Sequence, residues 1–509
     1  MIPENETMAD DTRIAVIVGV GQVNDRPADP AQGMEPLDLM RAALEAADKD
    51  AGGGWLAHVD SVAVVKQISF MKQNPLAEKL GAAIGATPRL AYESVGPNGD
   101  SPILLLNEAA NRIARGEIAI AAVVGAEALR TASQRAAAAA KTSVADQNPL
   151  RSLAKKAAPG YRQRYGLSTP VDVYPLYENA GRASYGQTLA EGQRESGEIW
   201  SRFSEVAATT PAAWIHAPRS AEEIATATAD NRPIAFPYTK LMVANSSVNQ
   251  GAGFLVTSLA EARRRGVPEA RIVYVGRGAA AHEDDDFLSR DRYDQSPSMA
   301  TCLTRTLDYN RVTADDLDLV ELYSCFPCVP KMARRVIGWP VEKPATVFGG
   351  LTFGGGPIGN YMSHAVAEMV DALRGGEGRK GLLFANGGYA THNHAIVLAT
   401  TPLPGAGEAH DFDVQAEADA ARGPVPELAK DYAGPATIET YTVFYARDGS
   451  AKAGVIVART PDGRRTLAKV PAEDAQTIAW LTDGAAEPVG AVGEIAPAGD
   501  DMVWHRAVA

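Results

Sequence analysis

Glu321-Leu-Tyr-Ser-Cys-Phe-Pro-Cys328 completes the apolar run Leu317-Asp-Leu-Val-Glu-Leu-Tyr323, which has the pattern of a buried strand. Two of the three cysteines of the chain lie in this stretch. Two glycine-rich segments follow it, at residues 348–359 and 386–388. An α/β enzyme commonly forms its pocket where a strand ends in a reactive residue and glycine loops return to the same place. The stretch therefore predicts a pocket at the end of this strand.

The composition is typical of a large globular protein. Of the 509 residues, 46% are apolar and 22% are charged. The net charge of −13 argues against a nucleic-acid partner, because phosphate backbones require an excess of Lys and Arg. Three cysteines provide no disulfide framework, and no apolar run is long enough to span a membrane. We therefore expect a cytoplasmic protein with no membrane span.

The alternation of strands and helices in residues 36–127 repeats in the second half of the chain. When Asp60 is aligned with Asp318, Gly99 falls opposite Gly356, and a proline and a helix follow each glycine. This pattern indicates an internal duplication of a β-α-β-α-β unit. It predicts an α/β fold of mostly parallel strands covered by helices, with two helix N-termini at equivalent positions.

The sequence also predicts how the chain is divided. The predicted segments are the N-terminal half of the duplicated core at residues 12–130, a mostly helical excursion at 131–232, the rest of the core with its C-terminal half at 233–402, a linker at 403–432 and an all-β domain at 433–509. The linker is rich in Pro, Gly, Ala and Asp. The last segment alternates apolar and polar residues around two Asp-Gly turns, which favours a small OB-like barrel.

Several motifs together resemble the thiolase superfamily. They are Val124-Gly-Ala-Glu127, residues 245–253, Cys325-Phe326, and Gly349-Gly-Leu351 with Gly356-Pro357-Ile-Gly359. Within the superfamily the chain is similar to sterol-carrier-protein-type thiolases and to thiolase-like acetyl-CoA acetyltransferases with an extra C-terminal β domain. The resemblance implies a layered αβαβα fold and an acyl-CoA thioester substrate, with no separate cofactor. Because thiolases commonly dimerise, a homodimer is one expectation.

The chain departs from the thiolase pattern at positions that carry the chemistry. Thiolases hold the acyl group on a cysteine thiolate at a helix N-terminus, where this chain has Gly96-Pro-Asn-Gly-Asp-Ser-Pro102 and no cysteine. The Gly-His-Pro motif is replaced by Gly355-Gly356-Pro357, and the His-Asp-Cys-Phe motif by Tyr323-Ser-Cys-Phe326. The usual thiolase reaction, in which the acyl group is transferred to a cysteine of the N-terminal half, is therefore not expected, because this chain lacks that cysteine.

Cys325 is the catalytic candidate that the resemblance leaves. We expect it to act as a nucleophile or a proton shuttle, with His392 or His394 as base and Tyr323 as hydrogen-bond donor. The two histidines alternate, so on a strand their side chains share one face. The structural alternative for Cys325 is a small buried hydrophobic residue at a strand end. A redox or metal-binding role together with Cys328 is less favoured.

The predicted substrate-binding residues lie in the glycine-rich segments and in the other segments that correspond to thiolase motifs. They are Ser246, Asn386, Gly356, Gly99, Asp100 and Ser101. Ser246 falls where the family has a serine that contacts the CoA pantetheine, although a polar turn residue explains it equally well. Asp100 or Ser101 could replace the missing nucleophile. We favour Ser101 as the N-cap of a helix that begins at Pro102, a geometry that also suits a carboxylate or thioester oxygen.

No metal site is predicted. His282-Glu-Asp-Asp-Asp286 has residue types that bind metals, but it fits a solvated charge run better.

Two function classes remain. The first is a thiolase-like acyltransferase that acts on acyl-CoA thioesters through Cys325. The second is a catalytically inactive protein that binds acyl-CoA or a lipid-like ligand, or a subunit that requires a partner.

Overall fold

The strands form a central core sheet and a C-terminal barrel. In the computed structural model, which describes residues 10–144, 147 and 160–506, ten strands hydrogen-bond in the core sheet. The strands in chain order are β1 (Ala15–Asn24), β2 (Ser61–Val64), β3 (Leu90–Glu93), β4 (Ile120–Ala128), β5 (Pro233–Ala235), β6 (Tyr238–Thr239), β7 (Asn249–Ser258), β8 (Val273–Val275), β9 (Ala279–His282), β10 (Leu319–Leu322), β11 (Lys380–Gly387), β12 (His392–Ala399), β13 (Gly434–Tyr445), β14 (Ala451–Arg459), β15 (Arg465–Pro471), β16 (Val492–Ala498) and β17 (Asp501–Arg506). The core order is β10-β11-β12-β8-β1-β7-β4-β2-β3, and β9 pairs with β12.

Helices cover both faces of the core sheet, and one helix, Ala475–Thr482, packs on the barrel. They are α1 (Pro36–Asp50), α2 (Ala77–Ala83), α3 (Ser101–Ala114), α4 (Leu129–Ala140), α5 (Tyr161–Arg164), α6 (Pro170–Ser184), α7 (Leu189–Thr209), α8 (Ala221–Ala225), α9 (Leu259–Arg264), α10 (Pro297–Asn310), α11 (Cys328–Ile337), α12 (Tyr361–Arg374), α13 (Gln415–Ala421) and α14 (Ala475–Thr482). Helices α3 and α12 pack in the largest hydrophobic core, whereas α1 and α2 cover the other face of the N-terminal half. Among these helices none is both long and apolar enough to cross a membrane.

The core sheet is mixed, so the prediction of mostly parallel strands was wrong. Strand β10 pairs in parallel with β11, and β2 pairs in parallel with β3 and β4. Strand β1 is antiparallel to β7 and β8, and β12 is antiparallel to β11. A strand buried on both faces gives the same apolar run in either direction. The sequence pattern therefore identified the strands but not their orientation.

The internal duplication is confirmed at the level of single hydrogen bonds. The Asp60 carboxylate accepts from the backbone N–H groups of Ala119 and Ile120, where β4 begins. The Asp318 carboxylate does the same for Arg379 and Lys380, where β11 begins. The two loops that precede α3 and α12 also touch, since a Cβ at Gly359 would lie 3.0 Å from the Pro97 carbonyl carbon. The two helix N-termini therefore face one another, as pseudo-symmetry requires.

The segment between β4 and β5 packs over the C-terminal half of the core. Residues 145–146 and 148–159 of the predicted excursion lie outside the described residues. Helix α6 buries Tyr174 and Tyr177 in the main core, and α7 buries Trp200 and Phe203 there. The Trp200 indole N–H donates to Thr352 Oγ1 at 3.0 Å. These helices cover the loops that follow β10 and β11.

The C-terminal domain is a closed five-stranded barrel, so the OB-like prediction is confirmed. Its strands pair in the closed order β13-β14-β15-β17-β16-β13, and α14 lies between β15 and β16 in sequence. Strand β5 pairs with β13 through Ala235 and Phe444, so β5 and β6 extend the barrel sheet. Helix α13, in the segment before the barrel, buries Ala418 beside Ala279 and Ala281 of the core.

Candidate functional site

The N-terminus of α3 differs from the prediction by one residue. Asp100 is the N-cap, and Ser101 is the first helical residue, so the prediction of Ser101 as N-cap was wrong. Proline lacks an N–H and is tolerated throughout the first helical turn, so Pro102 did not fix the helix start. The Ser101 hydroxyl donates to the Gly96 carbonyl at 3.2 Å. The Asp100 side chain makes no capping hydrogen bond, which leaves its carboxylate available for another role.

The Asp100 carboxylate occupies the space left by the missing side chain of Gly387. A Cβ at Gly387 would lie 3.2 Å from Asp100 Oδ1. Gly387 pairs with His392 across β11 and β12, and His392 pairs with His282 across β12 and β9. Residues directly opposite in antiparallel strands project to the same face. Asp100 therefore lies beside two imidazoles.

Two opposing effects act on the pKa of Asp100. Burial raises the pKa of this carboxyl, and the nearby His392 and His282 act in the opposite direction. A carboxyl group with a raised pKa in a pocket is a candidate general base.

Tyr323 meets Asn386 at the start of α3. A Cβ at Gly99 would lie 2.2 Å from the Asn386 carbonyl oxygen and 2.3 Å from the Tyr323 hydroxyl oxygen. Gly99 is thus required here for close approach. Burial holds the pKa of the Tyr323 hydroxyl well above its ordinary value. The hydroxyl therefore stays protonated and can donate a hydrogen bond at neutral pH.

Cys325 is the partly exposed member of the three free cysteines. Burial of the sulfur raises the pKa of Cys325 to about 12, although a hydrogen bond with Tyr174 acts in the opposite direction. A pKa of this size means that Cys325 is a thiol, not a thiolate, at neutral pH. The Cys325 carbonyl accepts from Ala244 N–H at 3.3 Å, which brings the cysteine to the segment that contains Ser246.

We expect Cys325 to react slowly with iodoacetamide at neutral pH. The thiolate is the reactive form, so a pKa of about 12 should make alkylation at pH 7.5 slower than for an ordinary thiol by a factor on the order of 1,000. The rate should rise about tenfold per pH unit up to the limit of folding stability. Mass spectrometry of the alkylated peptide measures both. Alkylation of native Cys325 as fast as in the urea-unfolded chain would contradict this expectation.

The segment that contains Ser246 contacts both Gly356 and Cys325. The Gly356 N–H donates to the Asn245 carbonyl at 2.8 Å, and the Asn245 N–H donates to the Leu351 carbonyl at 3.0 Å. Ser246 is partly exposed. These contacts bring Ser246, Gly356 and Cys325 together, and Tyr323, whose hydroxyl approaches Gly99, lies near both Cys325 and Asp100.

The side chain of Asn386 is engaged by protein groups. Its Oδ1 accepts from the Tyr174 hydroxyl at 3.1 Å, and its Nδ2 donates to Asn393 Oδ1 at 2.9 Å and to the His392 carbonyl at 3.3 Å. Its backbone carbonyl, in contrast, faces Gly99. Asn386 therefore shapes the loop with its side chain and lines the site with its backbone.

His392 and His394 of β12 lie next to different turns of α3. His392 is partly exposed, and its Nε2 lies 2.9 Å from Asp285 Oδ1. His394 is buried, with Nε2 2.9 Å from Asn107 Nδ2 and its ring against Phe412. Burial lowers the pKa of His394 to about 3. His392 thus lies near Asp100 at the start of α3. His394 is held neutral beside Asn107, about two helical turns further along α3.

Sequence reasoning missed the residues that hold the loop between β11 and β12. The Tyr174 hydroxyl accepts from the Ala390 N–H at 2.9 Å, and the Tyr177 hydroxyl donates to the Tyr389 carbonyl at 2.8 Å. Arg290 Nη1 donates to the Ala390 carbonyl at 3.0 Å. The only signal in the sequence was the presence of aromatic residues in an otherwise polar excursion.

Comparison with known proteins agrees with this architecture. A family model, the thiolase-like protein type 1 additional C-terminal domain, matches residues 413–500. The chain is 32% identical to a monomeric SCP2-thiolase-like protein type 1 from Mycobacterium smegmatis, with a TM-score of 0.80 over 98% of this chain and 100% of that one. A search of curated proteins gives no match.

More distant structures share the fold. The Ltp2-ChsH2(DUF35) aldolase matches at 20% identity and a TM-score of 0.58, over 77% of this chain and 98% of that one. Human mitochondrial 3-ketoacyl-CoA thiolase in complex with CoA matches at 14% identity and a TM-score of 0.55, over 77% and 99%. The predicted resemblance to the thiolase superfamily, with an added C-terminal domain, is therefore confirmed. Because the match to the M. smegmatis protein covers nearly all of both chains, this chain belongs to the SCP2-thiolase-like proteins of type 1.

Proposed function

We propose that this protein binds acyl-CoA thioesters at the ends of β10 and β11. We further propose that it performs acid–base chemistry at the α-carbon of the acyl group, next to the thioester carbonyl. One observation carries the proposal: the Asp100 carboxylate stands at the N-terminus of α3, where thiolases have their nucleophile, beside Tyr323 and His392. The human thiolase of the same fold was solved in complex with CoA, which supports a CoA thioester as the ligand class.

The proposed chemistry follows from the positions of these groups and from the protonated hydroxyl of Tyr323. Asp100 takes a proton from the α-carbon, and negative charge moves to the thioester oxygen. Tyr323 stays protonated, so its hydroxyl can donate a hydrogen bond to that oxygen. His392, next to Asp100, can exchange the proton with solvent, since its other contact, Asp285, is exposed. Proton removal at this carbon is shared by many reactions that make or break carbon–carbon bonds, and one structure of the same fold is the Ltp2-ChsH2(DUF35) aldolase.

Acyl transfer through Cys325 is the second candidate. Its supporting observation is the partial exposure of Cys325, in contrast to the burial of Cys302 and Cys328. Its weakness is the pKa of the thiol, which burial raises. In addition, the two candidate bases contact other groups, His392 with Asp285 and His394 with Asn107. The geometry therefore favours Asp100 over Cys325 as the reacting group.

Replacing Asp100 with asparagine should abolish α-proton exchange. In deuterium oxide, the wild-type protein should exchange the α-protons of acetyl-CoA or propionyl-CoA, as measured by NMR. Asp100→Asn should lower the rate by about 100-fold or more, because a general base contributes that much. Asp38→Asn is the matched control, since Asp38 is an exposed residue in the first turn of α1 that pairs with Arg41.

The same assay separates the two candidates. Cys325→Ala should retain exchange under the proposal. Loss of exchange in Cys325→Ala with normal exchange in Asp100→Asn would instead favour the cysteine. If the wild-type protein is stabilised by acyl-CoA in a thermal shift but exchanges no protons, it is a non-catalytic binder. No stabilisation by CoA or acyl-CoA would contradict both candidates.

The biological setting is part of the proposal. The three free cysteines agree with a reducing, cytoplasmic compartment. A homodimer was expected from the superfamily, but the M. smegmatis relative is described as monomeric. We therefore propose that the chain acts as a monomer.

A further inference from the structure

Arg465, on the first position of barrel strand β15, connects the C-terminal barrel to the core. Its side chain is fully buried, and it forms a bidentate pair with Glu439 of β13, with N···O distances of 2.9 and 2.7 Å. Its Nη1 donates to the carbonyls of Leu288 and Arg290 at 2.6 and 2.5 Å, and its Nη2 donates to Asp291 at 3.3 Å. All five N–H groups of this guanidinium are therefore used, three of them on the core segment 287–291.

The segment 287–291 connects in turn to the site. Arg290 is also fully buried, and its Nη1 donates to the Ala390 carbonyl at 3.0 Å. Its Nη2 pairs with Glu283 Oε1 at 3.1 Å and donates to the Gln295 carbonyl at 3.3 Å. Ala390 belongs to residues 386–392, the loop that carries Asn386, Gly387 and His392; this segment is called the site loop below.

A second route leads from Glu283 to the same loop. Glu283 Oε1 accepts from the Ser298 hydroxyl at 2.9 Å, and Ser298 Oγ accepts from Asn393 Nδ2 at 2.8 Å. Asn393 Oδ1 accepts from Asn386 Nδ2 at 2.9 Å. The Glu283 N–H also donates to the Thr391 carbonyl at 2.7 Å. Both routes consist of buried, charge-assisted or amide hydrogen bonds, which have few alternative geometries.

The site loop needs such support. Ala390 has a φ of 57°, a left-handed conformation that a residue with a side chain seldom adopts. A residue in this region persists only when its surroundings hold it there. Here the Ala390 N–H is held by Tyr174 and its carbonyl by Arg290. Removal of the Arg290 contact should release the turn.

We propose that the C-terminal barrel positions the site loop, through Arg465 on residues 287–291 and Arg290 on Ala390. The barrel places no side chain on Asp100, Tyr323 or Cys325 in these hydrogen-bond routes, so Arg465 and Arg290 are positioning residues. The proposal assigns the extra domain a role in shaping the candidate site, and it holds whichever reaction that site performs.

The experiment compares Arg465→Gln with Arg464→Gln by hydrogen–deuterium exchange of the full chain. Arg464 is the adjacent residue, but its guanidinium is exposed and pairs with Asp462 in the hairpin turn. In Arg465→Gln, we expect peptides that cover the site loop to exchange about tenfold faster or more. A tenfold rise in the rate corresponds to a loss of about 1.4 kcal/mol in the free energy of local opening. Exchange in β7 should be unchanged. Arg464→Gln should match the wild-type protein at both places.

A second readout reports on the site itself. Iodoacetamide alkylation of Cys325 should become faster in Arg465→Gln, because Tyr174 contacts both the site loop and the cysteine. If Arg465→Gln does not fold, Arg290→Gln provides the test. This substitution removes the hydrogen bond from the Arg290 side chain to the Ala390 carbonyl, while the Arg290 backbone carbonyl still accepts from Arg465. Hydrogen–deuterium exchange should therefore become faster in the site loop and stay unchanged in the barrel. A folded variant of either kind with wild-type exchange in the site loop and wild-type Cys325 alkylation would overturn the proposal.

Discussion

Replacing Lys331 with methionine is expected to lower the free energy of unfolding by about 3–5 kcal/mol. Lys331 Nζ on α11 lies 2.5 Å from Glu178 Oε1 on α6, and both side chains are buried. Nζ also donates to the Gly192 carbonyl on α7 at 2.9 Å. The substitution leaves the Glu178 carboxylate buried without its counter-ion, which is the costly outcome for a buried pair.

The matched controls separate charge from packing. The double variant Lys331→Met/Glu178→Gln removes both charges, so it should recover part of the lost stability. Arg305→Met breaks an exposed pair with Glu417 and should cost less than about 1 kcal/mol. Urea unfolding followed by circular dichroism measures all three. A loss below about 1 kcal/mol in Lys331→Met alone would show that the pair does not hold α6 and α7 on the core.

Replacing Gly99 with alanine is expected to disrupt the candidate site more than any other single methyl addition in the same loop. The new Cβ would lie 2.2 Å from the Asn386 carbonyl oxygen and 2.3 Å from the Tyr323 hydroxyl oxygen, far inside van der Waals contact. Tyr323 and the site loop must therefore move apart. Overpacking of this kind typically costs about 1–3 kcal/mol of stability. We also expect loss of the thermal shift caused by acyl-CoA.

Gly96→Ala is the matched control for Gly99→Ala. A Cβ at Gly96 would have Asn98 Nδ2 as its nearest contact, at 3.8 Å, so it meets ordinary van der Waals distances. Its stability should stay within about 0.5 kcal/mol of wild type, and the acyl-CoA thermal shift should remain. Equal behaviour of the two variants in unfolding and in ligand binding would show that Gly99 is not the close-approach point of the site.

The features that the sequence predicted well are those with a local or repeated signal. The alignment of Asp60 with Asp318 followed from the repeat, and each carboxylate accepts from backbone N–H groups at the start of a neighbouring parallel strand, β4 or β11. The barrel followed from period-two alternation and Asp-Gly turns. The alternation of His392 and His394 placed both side chains on one face; His394 contacts Asn107 of α3, and His392 lies near enough to Asp100 to lower the pKa of that carboxyl.

The features that the sequence missed depend on distance and direction. Strand orientation leaves no mark on a run that is apolar on both faces, so the mixed sheet was not predicted. The start of α3 shifted by one residue because Pro102 fits either of the first two helical positions. Which turn of α3 meets each histidine depends on how helix and strand cross, and no residue pattern encodes that crossing.

By itself, the sequence determined the duplicated α/β core, the added β domain and the loops that meet at the candidate site, because hydrophobic periodicity and glycine positions are properties of neighbouring residues. Only the tertiary structure decided how the groups in those loops are arranged and how burial shifts their pKa values. It placed Asp100 near His392, raised the pKa of the Cys325 thiol to about 12 and joined Arg465 to the carbonyls of Leu288, Arg290 and Asp291, well over a hundred positions away. The physical reason is that burial and pairing, which set protonation and position, arise from contacts between segments far apart in the chain.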